Sequence, residues 1–240
     1  MAAAESWLSR RGAWFRVLPP LLRAEYERQT RRQRSRSVGL VSLVGSVVSL
    51  LFYPTLNSAV PDLQDDVTRL FLCGAVPFSF AMALLVMLDP TPLLRETLLG
   101  LSGIVNAAVL TYLFVRTRID ATELYVASML VMMLFVTVTV QVRFSIAVGV
   151  VAAILALFAE GVRVALDGTP RLHRDLFLAA LVSGIYMLMA NGRMHAEQQR
   201  GFVLTLRERL RRHDLFQRNL ELDELVRRDA LTGLGEPPCL

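Results

Sequence analysis

The sequence predicts an all-α polytopic membrane protein with six transmembrane helices followed by a cytoplasmic coiled-coil helix. Hydrophobic residues make up 54% of the 240-residue chain, and the mean hydropathy is +0.46. The apolar residues form long blocks without the alternation that is typical of strands. Because backbone polar groups inside hydrocarbon must be satisfied within their own segment, helices are the expected spanning structure.

Six apolar blocks are each close to the ~20 residues that an α-helix needs to cross a bilayer. They form a membrane module at residues 37–191, with spans at Ser37–Leu56, Val67–Leu88, Thr97–Val115, Leu124–Val142, Phe144–Ala159 and Asp175–Asn191. The fifth block is the shortest, and only Arg143 separates it from the fourth. No cleavable signal peptide precedes the first block, so we expect that block to be retained as a span.

Few polar residues interrupt the blocks. Asn106 lies in the middle of the third span, where it is either a ligand contact in a central cavity or, as we favour, a partner in an interhelical hydrogen bond. Ser42 and Ser46, four residues apart, permit close packing of the first span. Pro77 is expected to kink the second span because it lacks a backbone N–H. No acid or lysine lies in mid-span, since Glu160 falls at a helix end, and this argues against a transporter. The remaining polar residues of interest are Thr137, Thr139, Tyr186 and Asn191.

Residues 1–36 form a basic arm with nine Arg. Its apolar residues recur at helical spacing: Trp7, Leu8, Trp14, Phe15 and Leu18. This pattern is typical of a helix in the interface of an anionic membrane. It equally fits a cytoplasmic tail whose charges only set orientation. A second helical piece, residues 21–36, is predicted to lead into the bilayer.

The distribution of arginine predicts the orientation. All 26 basic residues are Arg, and with the N-terminus inside, twenty lie on the cytoplasmic side and six on the other. This difference depends on the two tails, because the short loops alone favour the opposite orientation. Six spans then place both termini in the cytoplasm.

The cysteines and histidines give no sign of a metal site. Cys73 and Cys239 supply neither a disulfide framework nor a metal-ligand spacing. His173 and His195 lie near opposite membrane faces in this topology and cannot share a metal. We therefore expect no metal and no cofactor in this chain.

Residues 192–228 are predicted to form one long polar helix. Its leucines recur at three and four residues and then slip in phase, which is typical of a parallel two-stranded coiled coil. The predicted dimer seam consists of Leu206, Leu210, Leu215, Leu222 and Leu225. A lone amphipathic helix, lying on the membrane or on its own bundle, is the alternative.

A specific motif follows this helix. Residues 225–234 read Leu-Val-Arg-Arg-Asp-Ala-Leu-Thr-Gly-Leu, which resembles the junction where a signalling helix enters a GGDEF domain, the catalytic domain of diguanylate cyclases. The residues that match the Asp-x-Leu-Thr-Gly-Leu opening of that family are Asp229, Leu231, Thr232, Gly233 and Leu234. The chain then departs from the Asn-Arg-Arg that the family shows next.

The resemblance implies the membrane sensor of an enzyme that makes cyclic di-GMP from two GTP. In that family two GGDEF domains face each other, each with GTP and a divalent metal such as Mg²⁺. The carboxylates and the Gly-Gly-Asp/Glu-Glu-Phe hairpin that hold them do not occur in this sequence, so we expect no catalytic residue and no cyclase activity from the chain alone. Asp229 and Thr232 would support the turn that couples helix to domain. The resemblance also implies a homodimer joined through the signalling helix and a location in the bacterial inner membrane.

A shift of the reading frame can explain the residues after Leu234. Gly-Glu-Pro-Pro-Cys-Leu can be encoded so that removal of one base yields Ala-Asn-Arg-Arg-Ala, the continuation that a GGDEF domain would have. We therefore interpret residues 229–240 as the truncated start of that domain, produced by an inserted base. A natural stop and a designed truncation are the alternatives.

Other functions have less support in the sequence. A histidine kinase would use His213 in a phosphoacceptor motif, but no Thr-Pro follows it. A free-standing membrane protein or transporter-like bundle would need polar mid-span pairs or repeated broken helices. A chain that dimerises with an intact cyclase is also compatible with the sequence.

The expected partners are the lipid bilayer and a second copy of the chain, with no nucleic acid. The stimulus is unknown. Because the predicted outer loops are short, we expect it to be apolar, membrane-borne or read inside the bundle.

Overall fold

A computed structural model describes the backbone of residues 20–165 and 170–232, and the side-chain surroundings of residues 25–165 and 171–226. The predicted aromatic stripe at residues 7–18 lies outside the described residues.

Six helices in the described chain are long and apolar enough to cross a membrane. In chain order they are α1 (Pro20–Ala59), α2 (Pro61–Met87), α3 (Pro92–Arg116), α4 (Thr122–Thr139), α5 (Phe144–Ala165) and α6 (Pro170–Thr232). This is the all-α architecture of a multi-pass membrane protein with a long final helix, and it confirms the predicted fold class.

Several helices extend beyond the predicted spans, and α1 and α5 illustrate this. α1 begins at Pro20, before the predicted span at Ser37, because the arginine-rich stretch continues the same helix. α5 continues past the predicted end at Ala159. Its extra turn contains Glu160 and Arg163, which form an ion pair on the surface.

α4 is shorter than predicted. It ends at Thr139, although the apolar sequence continues to Val142. Gln141 follows with φ of 55°, a left-handed conformation that an α-helix cannot contain.

Two of the helices contain π-helical segments. In α2, Val67–Ala75 is π-helical and leads directly to Pro77. Proline cannot donate to the carbonyl four residues earlier, and a wider turn is one way to accommodate that missing bond. In α4, the π-helical segment is Phe135–Thr139. Such segments inside α-helices occur frequently at functional sites.

Small residues determine how closely the helices approach one another. A Cβ atom at Gly39 of α1 would collide with Met87 of α2, and one at Gly100 of α3 would collide with Val150 of α5. Close approach at small residues is the usual basis of helix packing in lipid. α3 is the central helix, since 50% of its apolar window is buried, more than in any other span.

The chain divides into two compact units. Pro20–Ala196 form the bundle, and the described residues from Glu197 onward belong to the second unit. The backbone of α6 is helical in both.

The bundle has two distinct ends. We call the end with the α2–α3 and α4–α5 loops the Arg95 end, and the opposite end the Asp62 end. At the Asp62 end, the carboxylate of Asp62 accepts hydrogen bonds from Thr117 Oγ1 and from the backbone N–H of Arg118, both at 2.8 Å. Hydrogen bonds from Thr122, at the start of α4, lower the pKa of the Asp120 carboxyl below its usual value.

Candidate functional site

A buried ionic cluster joins several segments at the Arg95 end, and Glu96 is its centre. Glu96 lies in the first turns of α3 and is 2% exposed. Its Oε1 lies 3.3 Å from Arg143 Nε, 3.4 Å from Arg95 Nη2 and 3.9 Å from Arg34 Nη2. The backbone N–H of Arg143 also donates to Glu96 Oε2 at 3.0 Å. One carboxylate therefore faces three guanidinium groups, from α1, α3 and the α4–α5 loop.

Arg95 links this centre to a second carboxylate. Arg95 is 3% exposed, and its Nη1 donates to Ser35 Oγ at 3.1 Å. Ser35 donates in turn to Asp89 Oδ1 at 3.1 Å. Arg31 donates to the same carboxylate through Nε at 3.2 Å and to the Asp89 carbonyl through Nη2 at 2.8 Å. The chain of contacts ties α1 to the α2–α3 loop.

Among the residues whose side chains the structure describes, the cluster combines four arginines with three carboxylates. Its ionic members are Arg31, Arg34, Arg95 and Arg143 with Glu27, Asp89 and Glu96, and Glu27 joins through a 2.7 Å contact with Arg143. Desolvating such charges is costly and is offset only when each one is paired and hydrogen-bonded. We therefore expect the main effect of the cluster to be the selection of one arrangement of the helix ends, with a smaller contribution to stability.

Both loops at this end contain a residue in the left-handed region. Asp89 has φ of 59° and Gln141 has φ of 55°. Non-glycine residues adopt this conformation infrequently, and it persists where surrounding contacts fix it. Here the contacts are to α1: Arg31 binds Asp89, and Arg34 Nη2 donates to the Gln141 carbonyl at 3.0 Å.

α6 is attached to the same end by what we call the α6 clasp, formed by Asn191 and His195 on the α4–α5 region. Asn191 is fully buried, and its Nδ2 donates to the carbonyl oxygens of Thr137 at 2.6 Å and Val142 at 3.1 Å. His195 Nε2 lies 2.8 Å from the Val142 carbonyl, and because a carbonyl only accepts, Nε2 carries the proton. The last carbonyls of a helix lack intrahelical partners. Side chains of α6 therefore satisfy the C-terminal end of α4.

The α4–α5 loop connects the ionic cluster with the α6 clasp. Gln141 and Arg143 are held by the cluster. The carbonyl of Val142, between them, accepts one hydrogen bond from Asn191 and one from His195. A displacement of this loop would therefore change the contacts of α1, α3 and α6 together.

Sequence reasoning missed this cluster. It counted Arg95 and Arg143 as loop charges that set orientation, and it began the third span just after Glu96. The available signal was the adjacent pair of opposite charges at 95 and 96, directly before a long apolar block. Because α3 begins at Pro92, before the predicted start at Thr97, both members of this pair lie in the helix and are buried.

Asn106 takes part in an interhelical contact. It is 5% exposed, and its Nδ2 donates to Ser79 Oγ of α2 at 2.6 Å and to the Ser102 carbonyl at 2.8 Å. Ser102 Oγ donates to the same Ser79 oxygen at 2.9 Å. These polar residues also line a cavity, so ligand binding by Asn106 stays a proposal.

The leucines of the predicted seam lie in the second unit. Leu206 is half-buried, whereas Leu210, Leu215, Leu222 and Leu225 are exposed. At 3.6 residues per turn, Leu215 and Leu222 share one face of α6, and Leu206 and Leu210 share nearly the opposite face. The leucines of the predicted seam therefore form two stripes on different faces of α6, and their pairing with a second copy stays a prediction.

The motif that resembles the GGDEF junction is only partly described. Asp229, Leu231 and Thr232 lie on the final helical turns of α6, beyond the residues whose side-chain surroundings are described. Gly233 and Leu234 lie outside the described residues. Among the residues that the structure does describe, no group of three His, Cys, Asp or Glu is placed to hold a metal ion.

Comparisons of the chain with protein-family models, with curated proteins and with solved structures find no match. The class that the fold and the site define is a multi-pass α-helical membrane protein in which α6 is hydrogen-bonded to the α4–α5 region, and a buried ionic cluster fixes the same loop.

Proposed function

We propose that this chain is the membrane-embedded sensory and regulatory part of a bacterial diguanylate cyclase. The observation that carries the proposal is the extent of α6. Its backbone is helical from the sixth span to Thr232, and its last turns carry the Asp-x-Leu-Thr sequence that resembles the entry to a GGDEF domain. A continuous helix is the kind of element that transmits a change of rotation or register over a distance.

The α6 clasp is the proposed point at which the bundle acts on this helix. Asn191 and His195 bind carbonyl oxygens at the end of α4, and that end is also fixed by the ionic cluster. Two arrangements of the α4–α5 loop would correspond to two positions of α6. The loop would then be the element with two states that a switch requires.

The proposal includes an orientation and an oligomeric state. The Arg95 end faces the cytoplasm of the cell, as the excess of arginine in the two tails favours. Two copies of α6 pair through the exposed leucines, and their relative rotation would align or separate two catalytic domains and thereby set the synthesis of cyclic di-GMP.

The test uses a catalytic domain of known activity. An intact GGDEF domain is fused in frame after Leu234, and cyclic di-GMP is measured in membranes. Either two alanines or one seven-residue heptad is then inserted after Arg212. Two residues rotate the following helix by about 200°, whereas a heptad restores the coiled-coil phase. We expect the heptad insertion to keep the output of the parent fusion and the two-residue insertion to change it several-fold.

The control is the same fusion with its Gly-Gly-Asp/Glu-Glu-Phe sequence inactivated, which should give no product. An output that is indifferent to both insertions would contradict the proposal. Ion or solute flux in vesicles, together with such indifference, would favour a free-standing transporter-like bundle.

A further inference from the structure

A cavity of about 440 Å³ lies between α1 and α4 inside the bundle. This volume falls within the range of about 300–1,000 Å³ that small-molecule sites occupy. Val44, Val48 and Val131 line it and are 56%, 59% and 63% exposed, so the cavity opens sideways through an apolar mouth. In a multi-pass protein such a mouth faces hydrocarbon, and an occupant would enter from the bilayer.

Ser42 of α1 lines this cavity, and its hydroxyl is buried and unpartnered. Ser42 is 7% exposed, and its Oγ has no hydrogen-bond partner. Ser46 and Ser49 line the same cavity from the same helix, but their hydroxyls donate to the carbonyls four residues earlier, each at 3.0 Å. A buried hydroxyl without a partner is unfavourable, so a bound molecule with an acceptor oxygen would complete the site.

Ser79 of α2 lines the same cavity and offers a second donor. Its Oγ accepts hydrogen bonds from both Asn106 and Ser102. A hydroxyl that accepts two hydrogen bonds still has its own proton to donate. None of the residues that line the cavity is charged. The chemistry therefore fits an uncharged molecule whose polar group is a hydrogen-bond acceptor.

The donors lie at the depth of the hydrocarbon. Ser42 is seven residues along α1 from Ser35 of the ionic cluster, and Asn106 is ten residues along α3 from Glu96. At 1.5 Å per residue, these separations correspond to about 10 Å and about 15 Å, within a hydrocarbon core of about 30 Å. A phospholipid headgroup does not reach this depth, whereas a quinone ring or a mid-chain ketone does.

From these observations we infer that the cavity binds an uncharged, carbonyl-bearing membrane lipid through Ser42 and Ser79. The binding site would also be coupled to α6. Phe135 and Val136, in the π-helical segment of α4, line the cavity, and the next residue is Thr137, whose carbonyl accepts the Asn191 hydrogen bond of the α6 clasp. That this lipid is the stimulus rests on the proposed function, whereas the binding site does not.

The binding test uses the full chain in phosphatidylcholine nanodiscs and two photoreactive probes. One is a 16-carbon chain with a mid-chain ketone and a terminal diazirine, and the other is the same chain without the ketone. We expect saturable labelling of the α1 and α4 peptides at the cavity by the ketone probe, several-fold above the hydrocarbon probe. Ser42→Ala should weaken ketone binding about fivefold, the usual effect of one hydrogen bond, and leave hydrocarbon labelling unchanged.

Matched variants separate binding from folding. Ser58→Ala makes the same substitution on an exposed residue of α1 outside the cavity and should change neither probe's labelling. Ser49→Leu fills the cavity and should abolish saturable labelling by the ketone. The thermal midpoint of each variant shows that the bundle is intact, and Ser42→Ala should not lower it, because the lost hydroxyl has no partner.

Two competitors identify the source of the ligand. Displacement of the ketone probe by a short-tailed benzoquinone, or by an unlabelled long-chain ketone, supports the site and shows which carbonyl lipid it prefers. Equal labelling by both probes, with no effect of Ser42→Ala, would overturn the inference and indicate that the cavity holds only lipid tails. If a cysteine crosslink between the α1 helices of two copies blocks labelling, a second copy of the chain covers the cavity, and the inference is overturned.

The experiments distinguish a failure of the lipid-site proposal from a failure of the cyclase proposal. If the ketone binds as expected but does not change the output of the cyclase fusion, the site stands and the cyclase proposal loses its stimulus. If the fusion responds to helix phase but the ketone does not bind, the sensor proposal stands and the cavity is not its lipid site.

Discussion

The side-chain nitrogen of Asn191 in α6 lies 2.6 Å from the carbonyl oxygen of Thr137 in α4. The same nitrogen is 3.1 Å from the carbonyl of Val142, so one amide group holds both sides of the break at which α4 ends. This contact joins the helix that leaves the bundle to the loop that the ionic cluster fixes.

Replacing Asn191 with leucine should destabilise the bundle. The Thr137 carbonyl would lose its side-chain donor while staying buried, whereas the Val142 carbonyl would keep its bond to His195. An unsatisfied buried group costs about 1–3 kcal/mol. We expect a loss of that order in the free energy of unfolding, measured by denaturant titration in detergent. Ser183→Ala is the control on the same helix, since Ser183 is only half-buried and its hydroxyl bonds to the Ala179 carbonyl of its own helix. Equal effects of the two substitutions would show that the clasp does not stabilise the bundle.

Glu96→Gln should be among the most damaging single substitutions in the bundle. It removes the negative charge that faces Arg34, Arg95 and Arg143. Arg143 keeps its contact with Glu27, but the buried Arg95 loses its carboxylate partner. Breaking a buried ion pair in this way typically costs about 3–5 kcal/mol. The free energy of unfolding of the purified chain is the measurement.

Glu160→Gln provides the matched comparison for Glu96. Glu160 pairs with Arg163 at the Asp62 end, where both side chains are more than half exposed. Exposed pairs contribute little to stability and are screened by salt. We expect a small effect that vanishes at high salt for Glu160 and a large, salt-insensitive effect for Glu96. If the two substitutions behaved alike, the ionic cluster would be a solvated surface network and not a buried one.

Hydropathy locates the six spans because crossing a bilayer depends on local composition, but the cluster depends on contacts between distant residues. Ser35 bonds to Asp89, 54 residues away, and Arg143 bonds to Glu27, 116 residues away. Nothing local marks these partners. The end of α4 was misplaced for a related reason: Val140 and Val142 continue the apolar block, whereas the break depends on the backbone of Gln141 and on the donor that Asn191 brings from α6.

Asn106→Ala should distinguish a structural from a ligand-binding role for this residue. If the hydrogen bond to Ser79 holds α3 to α2, its loss should cost about 0.6 kcal/mol, and at most ~1.7 kcal/mol, as for other interhelical bonds in membranes. Thr97→Val is the control on α3, because Thr97 is exposed and bonds only to the Leu94 carbonyl. A substitution that left unfolding unchanged but altered labelling by the ketone probe would assign Asn106 to ligand binding instead.

Disulfide crosslinking tests which face of α6 meets a second copy. Cys73 and Cys239 are first replaced by serine, and single cysteines are then placed at Leu215 or Leu222. Both leucines are exposed, at 61% and 58%, and they share one face of the helix. If two α6 helices pair in register along this face, mild oxidation of membranes should give disulfide-linked dimers at both positions, visible by non-reducing electrophoresis.

The controls are cysteines at Gln217 and Glu224, which are also exposed and also seven residues apart. They lie about 200° around the helix from Leu215 and Leu222, so in a two-stranded coiled coil they point away from the partner. We expect their crosslinking to be several-fold slower. Equal rates at all four positions would indicate random collisions between α6 helices, and no crosslinking at any of them would indicate a single helix. Either result would contradict the dimeric seam, and neither would bear on the bundle, whose contacts lie within residues 20–196.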